Sequence, residues 1–262
     1  MNVGDGKVVL IAGGGEIYTD LAGRFVGSTR NLEDIIASDY NKKIVENIIS
    51  AGHEAALEFD YFIFGVEGYS RVAEAQLIRK RLASYMIKSG RIEKEGERDF
   101  NVVLPKVDNF QDFHVEKEMK VYGNKIEKMT LTYTAHDILD LIERWYNKGI
   151  ELGYKEEDLR YLKPQATEFK AIVAMNAHAL RDWFRIRCCK NAQTEIRDMA
   201  TKMLRLSKEA APDLFKDAGP NCVRMGYCPE NKMQHEDCNI ITKDEMADAL
   251  NMLDVDQFNH LF

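Results

Sequence analysis

No apolar run in this 262-residue chain approaches the ~20 residues that span a bilayer, so no membrane association is expected. The first residues lack the basic start and long apolar stretch of a secretory signal; Val8 to Ala12, after Lys7, is the only early apolar run. Proline is scarce, at 5 residues, and neither a low-complexity linker nor an internal repeat is present. Cysteine numbers only 5, an odd count with two residues adjacent, which argues against a secreted disulfide framework and for a reducing, cytoplasmic setting. Positive charge is also in deficit. Lys and Arg total 36 against 43 Asp and Glu, a net charge of −7, without the basic excess of a general nucleic-acid binder. A local basic pocket for a small phosphorylated ligand remains compatible with that balance. What is present is ordinary globular material, 45% hydrophobic and 30% charged, enough for one large domain or two modest ones.

Hydrophobic spacing predicts a mixed α+β chain. Lys7 to Ala12 reads as a short strand closed by Gly13-Gly14-Gly15. Asn41 to Ser50 is an amphipathic helix with Ile44, Val45, Ile48 and Ile49 on one face. Leu57 to Val66 reads as a strand, Ser70 to Ile87 as a long helix, and Phe100 to Leu104 as a strand stopped by Pro105. Helices follow at Ala135 to Asn147, Glu168 to Phe184, Lys190 to Leu206 and Lys243 to Leu253, with a short turn near Asp158 to Lys163. Thr242 and Glu245 are spaced as a capping box. Residues 1–207 read as one domain. Residues 208–262 read as an irregular, cysteine-containing segment and a terminal helix packed on it.

Several groups could carry chemistry. The triple glycine after the first strand lacks the full dinucleotide pattern, since position 18 is Tyr, and reads as a strand-ending turn. Residues 76–91 concentrate Arg79, Lys80 and Arg81, then Ser89-Gly90-Arg91. A turn offering backbone N–H, a hydroxyl and a guanidinium fork suits a phosphate, although a solvated basic helix end accounts for the same charges. Arg181, Arg185, Arg187, Lys190 and Arg197 form a second basic stretch around Trp183 and Phe184. Ser84 has no histidine at helical spacing to act as its base and reads as structural. Cys188-Cys189 reads as a buried pair. Cys222, Cys228, His235 and Cys238 have the residue types of a zinc site, but their spacing departs from the usual close first pair. No metal is therefore expected, with zinc as the open alternative. His114, His136 and His260 have no partner pattern.

Several of these segments together resemble one family. Gly52-His53-Glu54, the Phe62-Ile63-Phe64 strand, Ser70-Arg71 and the run Arg79-Lys80-Arg81-Leu82-Ala83-Ser84 are similar to motifs of the flavin-dependent thymidylate synthases. Asn176-Ala177-His178-Ala179-Leu180, Arg187 and Ala192-Gln193-Thr194-Glu195-Ile196-Arg197 resemble a second block of that family. The order and separations agree. The resemblance implies a helix-flanked sheet assembled as a homotetramer, with FAD at the subunit interfaces and dUMP stacked on the flavin. Methylenetetrahydrofolate would give the carbon and NADPH would reduce the flavin. It places Gln76, Arg79, Ser89, Gly90, Arg91 and Arg160 on the nucleotide, chiefly its phosphate, with Arg187 beside the uracil as the catalytic candidate. It places His53, Glu58, Arg79, Lys80, Arg81, Asn176, His178 and Asp182 about the flavin.

The departures from the family pattern are specific. The signature histidine is Lys80, its Asn-Glu pair is Met86-Ile87, and its final Tyr is Ile92. Ala55 and Phe59 replace a Thr and a His, and His178 and Asp182 replace an Arg and an Asn near the flavin base. These changes predict a loosely held flavin. They also leave open a paralogue that modifies C5 of another pyrimidine nucleotide, or a regulator that only binds one.

Overall fold

The computed structural model describes residues 2–3, 5–89, 101–106, 114–120, 128–230, 238 and 240–251. In chain order the elements are β1 (Asn2–Val3), β2 (Lys7–Ala12), α1 (Ile17–Gly27), α2 (Leu32–Ile36), α3 (Lys42–Ser50) and a 3-10 turn (Glu54–Glu58). Next come β3 (Tyr61–Ser70), α4 (Arg71–Leu77), β4 (Ser84–Ile87), β5 (Asn101–Val102), β6 (His114–Lys120), β7 (Lys128–Thr134) and α5 (Ala135–Glu151). The remainder is α6 (Glu156–Leu159), a 3-10 turn (Arg160–Leu162), β8 (Glu168–Asn176), α7 (Ala177–Arg187), α8 (Thr194–Ala210), α9 (Pro212–Phe215), α10 (Asn221–Met225) and α11 (Lys243–Asn251). The chain is thus α+β. No helix among the described residues is long and apolar enough to cross a membrane.

Two compact units divide the chain. The larger comprises Gly6–Val66, Gln76–Met86 and Ala171–Phe262, and the smaller comprises Met1–Asp5, Glu67–Ala75 and Ile87–Lys170. The main sheet has the order β2-β3-β8-β4. Its central strands bury alternate residues, as a period of two requires: Phe62, Phe64 and Val66 on β3, and Ala171, Val173 and Met175 on β8. Within the larger unit, Leu180 and Phe184 of α7, with Ile196, Met199 and Met203 of α8, are also buried. Phe215 closes this core. Its ring meets Phe62 edge-on at 5.2 Å and Phe184 at 6.1 Å, so the residues just after 207 belong to the packing of this unit.

The same unit fixes its first turn with glycine. Gly13 has φ +103°, and a Cβ there would run into the Tyr61 carbonyl oxygen and the Phe62 backbone. The triple glycine is therefore a strand-ending turn pressed against β3. Gly13→Ala is expected to cost about 1–2 kcal/mol of stability, read as a lowered urea midpoint; an unchanged midpoint would show that the turn can shift at no cost.

In the smaller unit β1 pairs in parallel with β5, and β6 with β7 as an antiparallel hairpin from His114↔Thr134 to Lys120↔Lys128. Thr134 caps α5 through a reciprocal capping box with Asp137. Leu139, Tyr146, Leu159 and Val102 form this unit's core.

Two sequence expectations are corrected. Glu168 to Phe184 is a strand followed by a helix. Phe169, Ala171, Val173 and Met175 are buried at every second position, and Asn176 ends the strand by capping α7, its side chain accepting from Ala179 N at 2.8 Å. The long helix over Ser70 to Ile87 stops at Leu77, and Ser84–Ile87 is instead the edge strand β4. Tyr85 holds the intervening loop, its hydroxyl donating to the carbonyls of Leu77 and Lys80, both at 2.9 Å. Burial of that hydroxyl pushes its pKa up to about 12, so the clamp stays protonated across the physiological range. The Thr242–Glu245 capping box forms as expected.

Candidate active site

The loop clamped by Tyr85 carries Arg79, Lys80 and Arg81 outside any helix, so they are not the basic end of a helix. It nevertheless brings part of the expected nucleotide set together. Arg187, in the last turn of α7, donates from Nη1 to Gln76 Oε1 at 3.1 Å. Burial first, and then the nearby Arg79 cation, lower the Arg187 pKa. Gln76, Arg79 and Arg187 therefore form one basic constellation within the larger unit. Two guanidiniums whose charges disfavour one another are stabilised by an anionic, hydrogen-bond-accepting ligand.

Within the smaller unit, a cleft of about 480 Å³ is lined by Ser89, Arg160, Arg71, Lys88 and Lys163. Arg160 begins the 3-10 turn after α6, and Arg71 opens α4, where its backbone N–H donates to Thr167 O at 3.0 Å. Arg71 also pairs with Glu74, and Lys163 stands over the Tyr146 ring at 4.5 Å. Four cations and a hydroxyl give this cleft the chemistry of a phosphate receptor. Sequence reasoning had selected Ser89 and Arg160 but missed Arg71, Lys88 and Lys163. The Ser70-Arg71 pair was the available signal for Arg71. Gly90 and Arg91 lie outside the described residues.

Four of the residues expected about the flavin, Glu58, Lys80, His178 and Asp182, fall on one ionic network in the larger unit. His178, Asp182 and Arg185 occupy one face of α7 at helical spacing. His178 faces two carboxylates, with Nδ1 3.3 Å from Glu58 and Nε2 3.4 Å from Glu54. Glu54 Oε1 also accepts from Arg185 and Arg224, each at 2.9 Å. Lys80 Nζ donates to Asp182 at 2.5 Å, and Arg185 stands 3.8 Å from the same carboxylate. The substitutions at 80 and 182 thus answer each other, a cation facing an anion. Of the second basic stretch, Arg185 joins this network. Arg181 is instead buried and bonded to Asp217 at 2.8 and 3.1 Å. Arg224 was missed, because a contact with Glu54 across that much sequence leaves no local pattern.

The other expected residues are placed differently. His53 is exposed and precedes the 3-10 turn, Arg81 is exposed on the loop, and buried Asn176 spends its side-chain oxygen on the α7 cap. The chemistry of the donor set still suits a dinucleotide cofactor. Exposed Arg79 and Arg81 offer guanidiniums to a diphosphate, and the α7 face offers both donors and acceptors to a heterocycle.

Burial pushes the Glu54 carboxyl upward, but Arg185, Arg224 and His178 outweigh it and hold the pKa below the ordinary 4.5. A carboxylate depressed in the folded state contributes stability above its unfolded pKa and loses it as pH falls through the folded value. Stability measured by urea unfolding is therefore expected to fall as pH drops below 4.5. Glu54→Gln should flatten that part of the profile; an unchanged acid slope in this variant would remove Glu54 from the account.

The sequence model of the thymidylate synthase complementing protein family matches residues 17–213. A flavin-dependent thymidylate synthase of Geobacter sulfurreducens is 38% identical over 208 residues, covering 79% of this chain and 82% of its own. Proteins of the same name from Clostridium tetani and Pyrococcus abyssi are 36% and 33% identical, over 79% and 80% of this chain and 82% of each relative. The chain therefore belongs to the flavin-dependent thymidylate synthase family.

Proposed function

We propose that this protein converts dUMP to dTMP by flavin-dependent methylation, with methylenetetrahydrofolate as the carbon donor and NADPH as the reductant. The Gln76–Arg79–Arg187 constellation carries this reading. It is a recognition site for an anionic heterocycle, built from three residues that match the family's nucleotide positions. When bound, FAD supplies the hydride chemistry. The protein's own groups bind, orient and polarise. Arg187 presents a guanidinium to the uracil carbonyl edge, with Gln76 fixing its plane. Arg79 neutralises charge beside it. Arg160, Ser89, Gly90 and Arg91 match the family's phosphate positions, and Arg71, Lys88 and Lys163 strengthen the positive field of the cleft that Ser89 and Arg160 line in the smaller unit. His53, Glu58, Lys80, Arg81, Asn176, His178 and Asp182 line the flavin, with residues 1–207 carrying the site and 208–262 packed on it.

A homotetramer in the cytoplasm is the corresponding assembly. Large apolar side chains left in water support association, among them Val26 at 88% and Tyr161 at 84% exposure. Light scattering at micromolar concentration is expected to give four times the chain mass, and a monomeric mass would overturn the assembly.

The deciding experiment is a flavin spectrum of the purified protein followed by a dUMP titration with methylenetetrahydrofolate and NADPH. Flavin absorption, with dTMP formed, is expected. Bound flavin with no turnover of dUMP would point to another pyrimidine nucleotide, and nucleotide binding without flavin would leave only the regulatory reading. Because positions 55, 59 and 178 have lost family side chains, prolonged dialysis is expected to strip part of the FAD. Full stoichiometric retention would show that the substitutions do not weaken the site.

A further inference from the structure

The family match ends at residue 213, yet the chain beyond it is fastened to α7 and to the turn that follows. Midway along α7, buried Arg181 donates to the Leu214 carbonyl and pairs with Asp217 at 2.8 Å. Past the end of α7, Asn191 Nδ2 donates to Glu230 Oε2 at 3.0 Å. Between these ties lies α10, preceded by Pro220 and closed by Gly226, which at φ +75° donates to the Cys222 carbonyl at 2.9 Å. α10 carries Arg224. Its Nη1 donates to Glu54 Oε1 at 2.9 Å, the same oxygen that accepts from Arg185 of α7. Cys222 and Cys228 of this segment are free thiols, and His235 of the alternative zinc set lies outside the described residues.

Glu54 thus holds two guanidiniums on one oxygen, while its other oxygen faces His178 at 3.4 Å. The charge balance of this face depends on the second guanidinium. Among the described residues the carboxylates of the network are Glu54, Glu58 and Asp182, and its permanent cations are Lys80, Arg185 and Arg224. Asp217, a further carboxylate within the field of Arg224, already has Arg181 as its partner. Without Arg224, and with His178 neutral, the carboxylates of the network outnumber its cations by one. A flavin carrying a diphosphate is proposed to bind on this face, and an unmatched carboxylate there repels such a ligand. We infer that Arg224 is a positioning residue of the cofactor site, which neutralises Glu54 from a segment outside the family match and so lets the α7 face accept an anionic dinucleotide. This rests on the flavin reading and deepens it. The segment packed on the domain then contributes a residue to the site, acting through Glu54.

Fluorescence titration of the flavin-free full chain with FAD tests this. Arg224→Ala is expected to weaken FAD binding about tenfold in low-salt buffer, and the loss should shrink to about twofold at about 0.5 M salt, where the unmatched charge is screened. Arg224→Lys should stay within about threefold of the parent, because an ammonium also neutralises Glu54. Glu54→Gln combined with Arg224→Ala removes both charges, and binding should return to within about threefold of the parent. A purely structural Arg224 would leave that double variant at least as weak as Arg224→Ala alone. Arg224→Gln keeps the length of the side chain without its charge; it should match Arg224→Ala, and it decides the case if the shorter side chain unsettles the fold. Parent-like affinity in Arg224→Ala or Arg224→Gln, a loss that salt leaves untouched, or a double variant without recovery would each overturn the role of Arg224. A parent chain that takes up no flavin would overturn the flavin reading and this role with it, a result distinct from those selective outcomes.

Discussion

Replacing Arg187 by alanine is expected to lower kcat/KM for dUMP by roughly 100-fold, about 2.7 kcal/mol. The guanidinium is planar and has five donors, of which Gln76 uses one at 3.1 Å. Its remaining edge is available to a carbonyl or oxyanion on the nucleotide. Arg187 is half-buried in the last turn of α7, and both its burial and the Arg79 charge disfavour its charged form. A bound anion offsets that repulsion and is favoured by it. Arg187→Lys should recover little of the loss, because an ammonium keeps the charge but not the fork that Gln76 orients. Initial rates at varied dUMP, with the thermal midpoint measured alongside, check this. A kcat/KM within threefold of the parent, in a folded protein, would remove Arg187 from the reaction.

The parts of this site that a sequence can reveal are those where a motif stays local. Gln76 and Arg79 sit in one short segment, and the Gly52-His53-Glu54 turn and the Asn176 cap are likewise contiguous. Elements were misread where composition and period disagreed. Residues 168–176 are rich in Ala, Met, Glu and Lys, all good helix formers. Yet the alternation of Phe169, Ala171, Val173 and Met175 with more exposed neighbours is the period of a strand, and burial on the sheet overrides propensity. Residues 78–83 likewise read as helix, but the Tyr85 clamp and strand β4 stop the helix at Leu77. The α1 and α2 helices and the β6–β7 hairpin also went unread. The first two carry their apolar residues partly exposed, Phe25, Val26, Leu32 and Ile36 among them, so their pattern does not look like a face turned to a core. Arg224 on Glu54 is a contact between remote segments, which periodicity does not encode.

The Lys80–Asp182 pair gives the second large effect, because it tests whether two departures from the family pattern are one change. Lys80 is largely buried and Asp182 about half exposed, with Nζ and Oδ2 2.5 Å apart. Lys80→Ala would leave the Asp182 carboxylate with Arg185, at 3.8 Å, as its one cation among the described residues, where a flavin with two phosphates is proposed to bind. Flavin affinity is expected to fall about 30-fold, or ~2 kcal/mol. Asp182→Asn alone removes the anion but leaves an ammonium without its partner in a desolvated position, and should cost less, because that ammonium can turn to the cofactor. Lys80→His with Asp182→Asn restores the family pair, and binding should return to within about threefold of the parent. The energies of the two single substitutions would then fail to add, as they must for groups in direct contact. Flavin fluorescence titration of the parent, Lys80→His, Asp182→Asn and the double variant closes the cycle, with Lys80→Ala measured beside them. Additive losses would show that Lys80 and Asp182 act independently on the cofactor, and the two substitutions would then be separate losses from the family site rather than a single exchange of one polar pair for another.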